Sequence, residues 1–313
     1  MARRLIHQTA AALTVFVLAF SAAEAAWPEK PITITVGFGA GGTTDVAARA
    51  IGELVSKKLG QPVVIENRPG AGGAVAATAL TKAAPDGYSL VATTSTTIAL
   101  DPQMTALGYK LDDFTYIAAV GDFPEAFIAL PKHGWKTLAD AFAASKPKGT
   151  LNYASTTSLD RMMTKVLGKK VALNLVPVPT KGGAEAVTQV LGGHVDLAYS
   201  SGAYYPQAQA GSLSVLAVLS DRRVAGLPDV PTLKELGYGV SSVNLILYIA
   251  PKGLPADVTA KLTAAFAEAG ADPSTVALME KRSLNNIVEV GAALEKTIRA
   301  QAASYKEMIE AAK

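Results

Sequence analysis

The sequence predicts an α/β protein of two domains, and three observations carry that expectation. The chain has 313 residues, against roughly 150 per domain, so it can bury two cores. β-Branched runs alternate with segments of helical apolar spacing in two separate blocks, the pattern of parallel strands wrapped by right-handed crossovers. Two further apolar stretches lie where the blocks meet, so the chain is expected to cross between domains twice, as a hinge does. A composition of 50% hydrophobic and 18% charged residues excludes the disordered and collagen-like classes. The absence of Cys removes disulfides, thiolate zinc sites, iron–sulfur clusters and Cys nucleophiles together.

The first 25 residues are of a different kind. Arg3 and Arg4 precede an apolar run over 10–20, and Ala23-Glu24-Ala25 places small residues at the two positions a signal peptidase reads. Cleavage after Ala25 is expected. The run is shorter than the about 20 apolar residues of a membrane span, and no Cys follows to carry a lipid, so the mature chain is expected to be a soluble, exported protein.

From Trp27 onward the first block reads as a strand over 32–36, a Gly-rich turn, and a helix with Val46, Ala47, Ala50, Ile51, Leu54 and Val55 on one face. Asp45, Arg49, Glu53 and Lys57 fall on the other face. Gly60-Gln61-Pro62 stops that helix. A strand over 63–66, a second glycine turn over 70–73, a helix over 74–83 and a strand over 88–92 follow. The second block reads as strand 151–154, helix 157–167, strand 173–178, helix 182–191, strand 195–200, a helix around 204–210 and strand 213–219. The crossing segments are 114–130, broken by Gly121 and Pro124, and 243–250, ended by Pro251. Helices over 256–269, 274–281 and 291–311 would return to cover the first domain. Domain 1 is thus expected to comprise 26–123 plus 248–313, and domain 2 residues 124–247.

The segment Gly37-Phe38-Gly39-Ala40-Gly41-Gly42 fits G-x-G-x-x-G between a strand and a helix, and Glu66 ends the next strand where a ribose-binding acid would sit. One reading is therefore a nucleotide-dependent oxidoreductase using Gly37, Gly39 and Gly42. The other rests on the physics beneath the motif: glycines let a ligand approach the backbone, and free N–H groups at the next helix start attract an anion. No Lys or Arg lies between Gly37 and Asp45, so such an anion would be held by main-chain donors and by the Thr43 and Thr44 hydroxyls. Catalytic constellations are missing. Beyond residue 25 the only histidines are His133 and His194, too few for a three-His zinc site; there is no G-x-S-x-G elbow and no Walker lysine. Asp112-Asp113 reads as a solvated turn. The net charge of +3 is spread along the chain and gives no nucleic-acid footprint. A small-molecule partner, no metal, no cofactor and no enzymatic activity are expected.

Three motif groups carry a resemblance to a known family: Gly41-Gly42-Thr43-Thr44-Asp45; Glu66-Asn67-Arg68-Pro69-Gly70-Ala71-Gly72-Gly73; and Ala84-Pro85-Asp86-Gly87-Tyr88. The chain resembles the Bug family, the extracytoplasmic solute receptors of tripartite tricarboxylate transporters. The likeness continues through Leu151-Asn152-Tyr153-Ala154-Ser155, Val178-Pro179-Thr180-Lys181-Gly182-Gly183, Gly192-Gly193-His194-Val195-Asp196 and Leu227-Pro228-Asp229-Val230-Pro231. It implies a type II periplasmic-binding-protein fold, a cleft that closes by hinge motion, a periplasmic monomer, a small carboxylate ligand and membrane transporter subunits as partners. A sensor for a membrane signalling partner would share these features. In such a fold one ligand carboxylate is held by two loops and bridging waters. Carried onto this chain, the first loop is Phe38, Gly39, Ala40, Gly41, Gly42, Thr43, Thr44 and Asp45, and the second is Ala154, Ser155, Thr156, Thr157 and Ser158. Thr94, Ser95 and Thr96 would line one wall. Lys181, Gly182 and Gly183, with Tyr199, Ser200, Ser201 and Gly202, would line the other.

This chain departs from the family's pattern at the far end of the pocket. Thr156-Thr157-Ser158-Leu159-Asp160 is compact and lacks the usual His, Thr180 stands for a usual Tyr, Ser200 for a usual Asp, and Leu245-Ile246-Leu247 for an aromatic-Gly pair. More hydroxyl and aliphatic surface suits an anion with an apolar or hydroxylated tail better than one with an ammonium group. Asp45 would repel a carboxylate, so capping the helix, orienting water or pairing with Arg49 suits it better.

Overall fold

Two mixed sheets organise the chain in the computed structural model, which describes residues 27–220, 223–224, 226–239, 241–282 and 284–311; the expected signal segment lies outside them. In chain order the first elements are β1 (Ile32–Val36), α1 (Thr43–Leu59), β2 (Val63–Asn67), α2 (Ala74–Leu80), β3 (Ser89–Thr94), α3 (Ser95–Ala99), α4 (Asp101–Met104) and β4 (Phe114–Asp122). The chain then enters β5 (Glu125–Ala129), α5 (Leu138–Ser145), β6 (Thr150–Ser155), α6 (Ser158–Val171), β7 (Asn174–Pro179), α7 (Gly183–Leu191), β8 (Leu197–Ser201), α8 (Tyr205–Gln209) and β9 (Ser214–Val218). It ends with β10 (Leu245–Pro251), α9 (Ala256–Ala271), α10 (Pro273–Lys281), β11 (Asn285–Val290) and α11 (Gly291–Ala311).

The first sheet has the order β11-β4-β10-β3-β1-β2 and the second β7-β6-β8-β5-β9. β1 pairs parallel with β2 and β3, and β6 pairs parallel with β7 and β8. Each sheet has an interior strand antiparallel to both its neighbours: β10 between β3 and β4, and β5 between β8 and β9. The stretch 114–130, expected as one crossing strand, is two strands. Gly121 takes φ +92°, and Pro124 lacks the N–H a ladder needs, so the strand breaks and β4 and β5 join different sheets. The return segment is a full strand of the first sheet from Leu245 onward. The sequence reading places no element between the helices over 274–281 and 291–311; antiparallel pairing with β4 makes β11 there, at the sheet edge.

Local chemistry explains the main helices. α1 buries Ala47, Ala48, Ile51 and Val55, carries Asp45 in its first turn and Lys57 and Lys58 in its last, and ends on Gly60 at φ +71°, the left-handed conformation glycine adopts without a Cβ penalty. α9 seats Val258, Leu262 and Phe266 on the first sheet, with the Phe266 ring 4.8 Å from that of Tyr248. Each such side chain contributes about 1.5–3 kcal/mol on full burial. A buried cluster containing Ile98, Leu100, Phe127, Leu159, Tyr199 and Leu247 runs from the first sheet into the second. The two units therefore share apolar packing beside the crossover strands.

Candidate functional site

The C-terminal ends of the parallel strands in the two sheets face each other. Thr94, ending β3, pairs with Ile246 at the start of β10, while Ser201, ending β8, pairs with Glu125 at the start of β5. Ligands of open α/β sheets bind outside these strand ends. A cavity bearing several hydroxyls lies there, walled on one side by Phe38, Gly42, Thr43, Thr44, Thr94 and Phe123 and on the other by Thr156, Thr157, Gly183 and Ser201. None of these residues is charged. The space is about 20 Å³, little more than the roughly 10–15 Å³ one water requires. The two sides touch: the Gly39 N–H donates to the Lys181 carbonyl at 3.1 Å, and a Cβ at Gly202 would lie 3.2 Å from Thr43 Oγ1.

Besides the short α3, whose N-cap Thr94 accepts from the Thr97 N–H, the N-termini of α1, α6 and α7 converge on this cavity, and they differ in how their amides are used. α1 and α7 have the glycine N-caps Gly42 and Gly182, neither with a side-chain cap bond. Their first-turn N–H groups have no intrahelical acceptor, and the helix dipole makes these ends favourable for an anion. α6 is different. The Thr157 hydroxyl accepts from the Asp160 N–H, and Asp160 Oδ2 accepts from the N–H groups of Thr156 at 2.8 Å and Thr157 at 2.7 Å. Asp160 Oδ1 takes the Ser155 hydroxyl at 2.6 Å and the Tyr153 hydroxyl at 3.2 Å. An internal carboxylate thus already fills the anion position of the second loop.

Of the residues expected to bind ligand, Phe38, Gly42, Thr43, Thr44, Thr94, Thr156, Thr157, Gly183 and Ser201 line the cavity, and the others have separate roles. The Thr43 and Ser200 hydroxyls are buried without a hydrogen-bond partner, and buried orphans of this kind call for an explanation. For Thr43 the cavity supplies one. Ser200 Oγ lies beneath Gly183, 3.2 Å from where a Cβ there would sit. Gly39 and Lys181 make the contact across the gap through their backbones, while the Lys181 side chain is exposed. Ala40 and Gly41 form the loop's outer tip. Ser95 and Thr96 sit behind the wall: Ser95 Oγ accepts from the Leu245 N–H, and the Thr96 N–H donates to Asn244 Oδ1. Ala154 is buried in the second unit's core, and Ser158 takes a bond from Arg161.

Asp45 is turned away from the cavity. Its carboxylate accepts from the Gly41 N–H at 2.9 Å, from Asn67 Nδ2 at 2.8 Å and from Arg49, whose guanidinium nitrogens lie 2.9 and 3.2 Å away. Burial opposes its ionisation, but the bonds from Arg49, Gly41 and Asn67 outweigh it and hold the carboxyl below the usual range. It shapes the loop. Tyr199 is likewise displaced from the expected role: its ring packs edge-on against Phe127 and its hydroxyl donates to Glu125, because the alternation of β8 points it into the shared core. Phe123 was missed. Its only sequence signal is an aromatic residue just before Pro124 at the crossover.

Behind the cavity the two crossovers are tied by a polar cluster. Glu125 accepts from Tyr199, from Ser242 Oγ at 2.6 Å and from Asn244 Nδ2 at 2.7 Å. Burial raises its carboxyl to about 7 despite these donors. Asp101 is also raised to about 7 by burial, against a hydrogen bond from Ser158 and the pull of Arg161 on the facing α6. The glycine spacing that fits a dinucleotide fingerprint has a packing cause, since a Cβ at Gly37 would lie 2.9 Å from Gly73 Cα. Among the described residues no group of three or more His, Asp or Glu is placed to hold a metal, and no helix is long and apolar enough to cross a membrane.

Two α/β units facing each other across a shared uncharged cavity define a two-domain solute-binding protein of the periplasmic-binding type. The chain belongs to the family described as "Tripartite tricarboxylate transporter family receptor", whose model it matches over residues 47–313. It is 33% identical to the UPF0065 protein in the gbd 5' region of Cupriavidus necator over 274 residues, 86% of this chain and 83% of that protein. The periplasmic binding protein BugD has the same fold at 30% identity and a TM-score of 0.82, covering 91% of this chain and 98% of that one. MatC from Rhodopseudomonas palustris, solved with bound malate, is 26% identical with a TM-score of 0.80, covering 90% and 99%. The Bug-family likeness read from the motifs agrees with the match to BugD.

Proposed function

We propose that this chain is exported by a cleaved segment 1–25, works in the periplasm as a monomer, and captures a small organic carboxylate between its domains for delivery to the membrane subunits of a tripartite transporter. The observation that carries this reading is the pair of glycine-capped N-termini, α1 and α7, that approach one uncharged, hydroxyl-lined cavity from opposite sides. The structure of MatC with bound malate supports the ligand class.

A micromolar ligand requires about 8 kcal/mol. Charge-assisted hydrogen bonds contribute roughly 1.5–3 kcal/mol each, so four or five first-turn amides and hydroxyls supply enough after ordering costs, and donors fixed in helix starts keep those costs small. A space of about 20 Å³ does not admit a metabolite, so the domains part and close again. The hinge is placed where the chain crosses between the sheets, at 122–125 and 242–245, with domain 1 formed by 26–123 plus 248–313 and domain 2 by 124–247.

The test is thermal unfolding of the mature protein with a panel of mono-, di-, tri- and aromatic carboxylates. A true ligand at 100 times its Kd adds about 2.7 kcal/mol of stability. A panel in which no acid raises the melting temperature refutes the carboxylate reading.

A further inference from the structure

Two cavity residues, Thr156 and Thr157, belong to the α6 start, yet their amides are not available to a ligand. Asp160 Oδ2 holds both, at 2.8 and 2.7 Å, and its other oxygen holds the Ser155 and Tyr153 hydroxyls. With the Thr156 and Thr157 hydroxyls at 3.4 and 3.3 Å, six donors on two oxygens, on a side chain with no solvent exposure, describe a resident anion in the position a ligand carboxylate would take at a helix N-terminus. Burial raises its carboxyl above the usual range, against the hydrogen bonds from Ser155, Thr157 and Thr156 and the pull of Arg161, and the two backbone N–H donors on one oxygen favour the charged form. Arg161 is the nearby cation, and its guanidinium is engaged with the Ser155 and Ser158 hydroxyls. Asp101, from the opposite side, is buried with one carboxylate oxygen unpartnered and faces the same Ser158 and Arg161. Two acids and one base thus meet at this end of the cleft. α1 and α7 carry first-turn acids as well, but Asp45 and Glu185 take the N–H groups of Gly41 and Lys181, which precede their helices, and the N-caps Gly42 and Gly182 make no side-chain cap bond.

We infer that Asp160 is a specificity-determining residue: by occupying the α6 amides it leaves room for one ligand carboxylate, at α1 and α7, and selects a monocarboxylate whose remainder is uncharged. This rests on the carboxylate reading proposed above. A second carboxylate reaching Thr156 or Thr157 would lie within roughly 6 Å of the Asp160 charge, a separation at which like charges repel strongly where solvent is excluded. It would also lose its solvation without gaining a free donor there.

The experiment is calorimetric titration of the mature protein with pairs of equal chain length, butyrate against succinate and hexanoate against adipate. The monoacid of the better pair is expected to bind at least tenfold tighter than its diacid. In Asp160→Ser, which frees both amides, the ratio is expected to shrink to within threefold, and Asp160→Asn, which removes charge but keeps an acceptor, to fall between. The wild-type ratio decides the matter should either variant fail to fold. A diacid binding wild type as tightly as its monoacid overturns this inference and leaves the carboxylate reading standing, whereas heat signals from none of the panel overturn both.

Discussion

Replacing Glu125 with Gln isolates a buried carboxyl at the crossover. Its side chain has 1% exposure, and its carboxyl is raised from 4.5 to about 7. Between those values the folded state holds a proton that the unfolded chain has lost, so stability falls as pH rises through this window and is fully present only below it. At 1.36 kcal/mol per unit the whole penalty is about 3 kcal/mol, and between pH 5 and pH 8 wild type is expected to lose about 2–3 kcal/mol through this group. Gln carries no charge and keeps the shape. Its amide can donate to Ser242 while its carbonyl accepts from Asn244 Nδ2, and the two hydroxyls reorient freely. Glu125→Gln is therefore expected to match wild type near pH 5 and to melt roughly 5 °C higher at pH 8, using about 2 °C per kcal/mol for a chain of this size. Asp101 titrates in the same window, so the difference between variant and wild type is the quantity to measure, by calorimetric or circular-dichroism melts from pH 5 to 8. Parallel curves for the two proteins, or a wild type that gains stability on going to pH 8 relative to the variant, refute a raised carboxyl at this position.

Two further substitutions probe the cavity. Gly42→Asp supplies the cap that α1 lacks: the backbone at φ −70° and ψ 165° suits an N-cap, though the new Cβ must move slightly from the Gly39 carbonyl at 3.2 Å. The free protein is expected to keep or gain up to about 1 kcal/mol, while carboxylate affinity falls by roughly 100-fold or more because a side-chain anion now sits at the α1 start; unchanged affinity would place the ligand elsewhere. Thr43→Val removes a buried hydroxyl that has no protein partner, so the melting temperature of the free protein should hold or rise. Titration should show a roughly 5–10-fold weaker ligand, the value of about one hydrogen bond. A variant that melts several degrees lower would mean that Thr43 serves the fold instead.

The alternation of β-branched runs with amphipathic segments was enough to place most strands and helices, because burial on one or both faces leaves a period in the residues themselves. The glycine turns were legible too, since Gly60, Gly72, Gly73 and Gly182 hold positive φ values that side chains seldom adopt. Elements whose existence depends on a distant partner were not. β11 forms because β4 offers an edge, and 114–130 divides because its halves find different sheets.

The site shows the same division. That backbone and hydroxyl donors surround the cavity, with no cation among them, follows from residue types in the loops after β1 and β3. Which donors remain free does not. Asp45 and Asp160 each follow a Thr-rich turn in the sequence, yet the fold binds Asp45 to Arg49 and Asn67 and sets Asp160 under the amides of Thr156 and Thr157. Tyr199 and Ser201 share one face of β8, yet Tyr199 packs into the core while Ser201, at the strand's end, reaches the cavity. Residue chemistry and local periodicity act over a few positions along the chain and so can be read there. The ownership of each hydrogen bond is settled only when segments far apart in sequence compete for it in three dimensions.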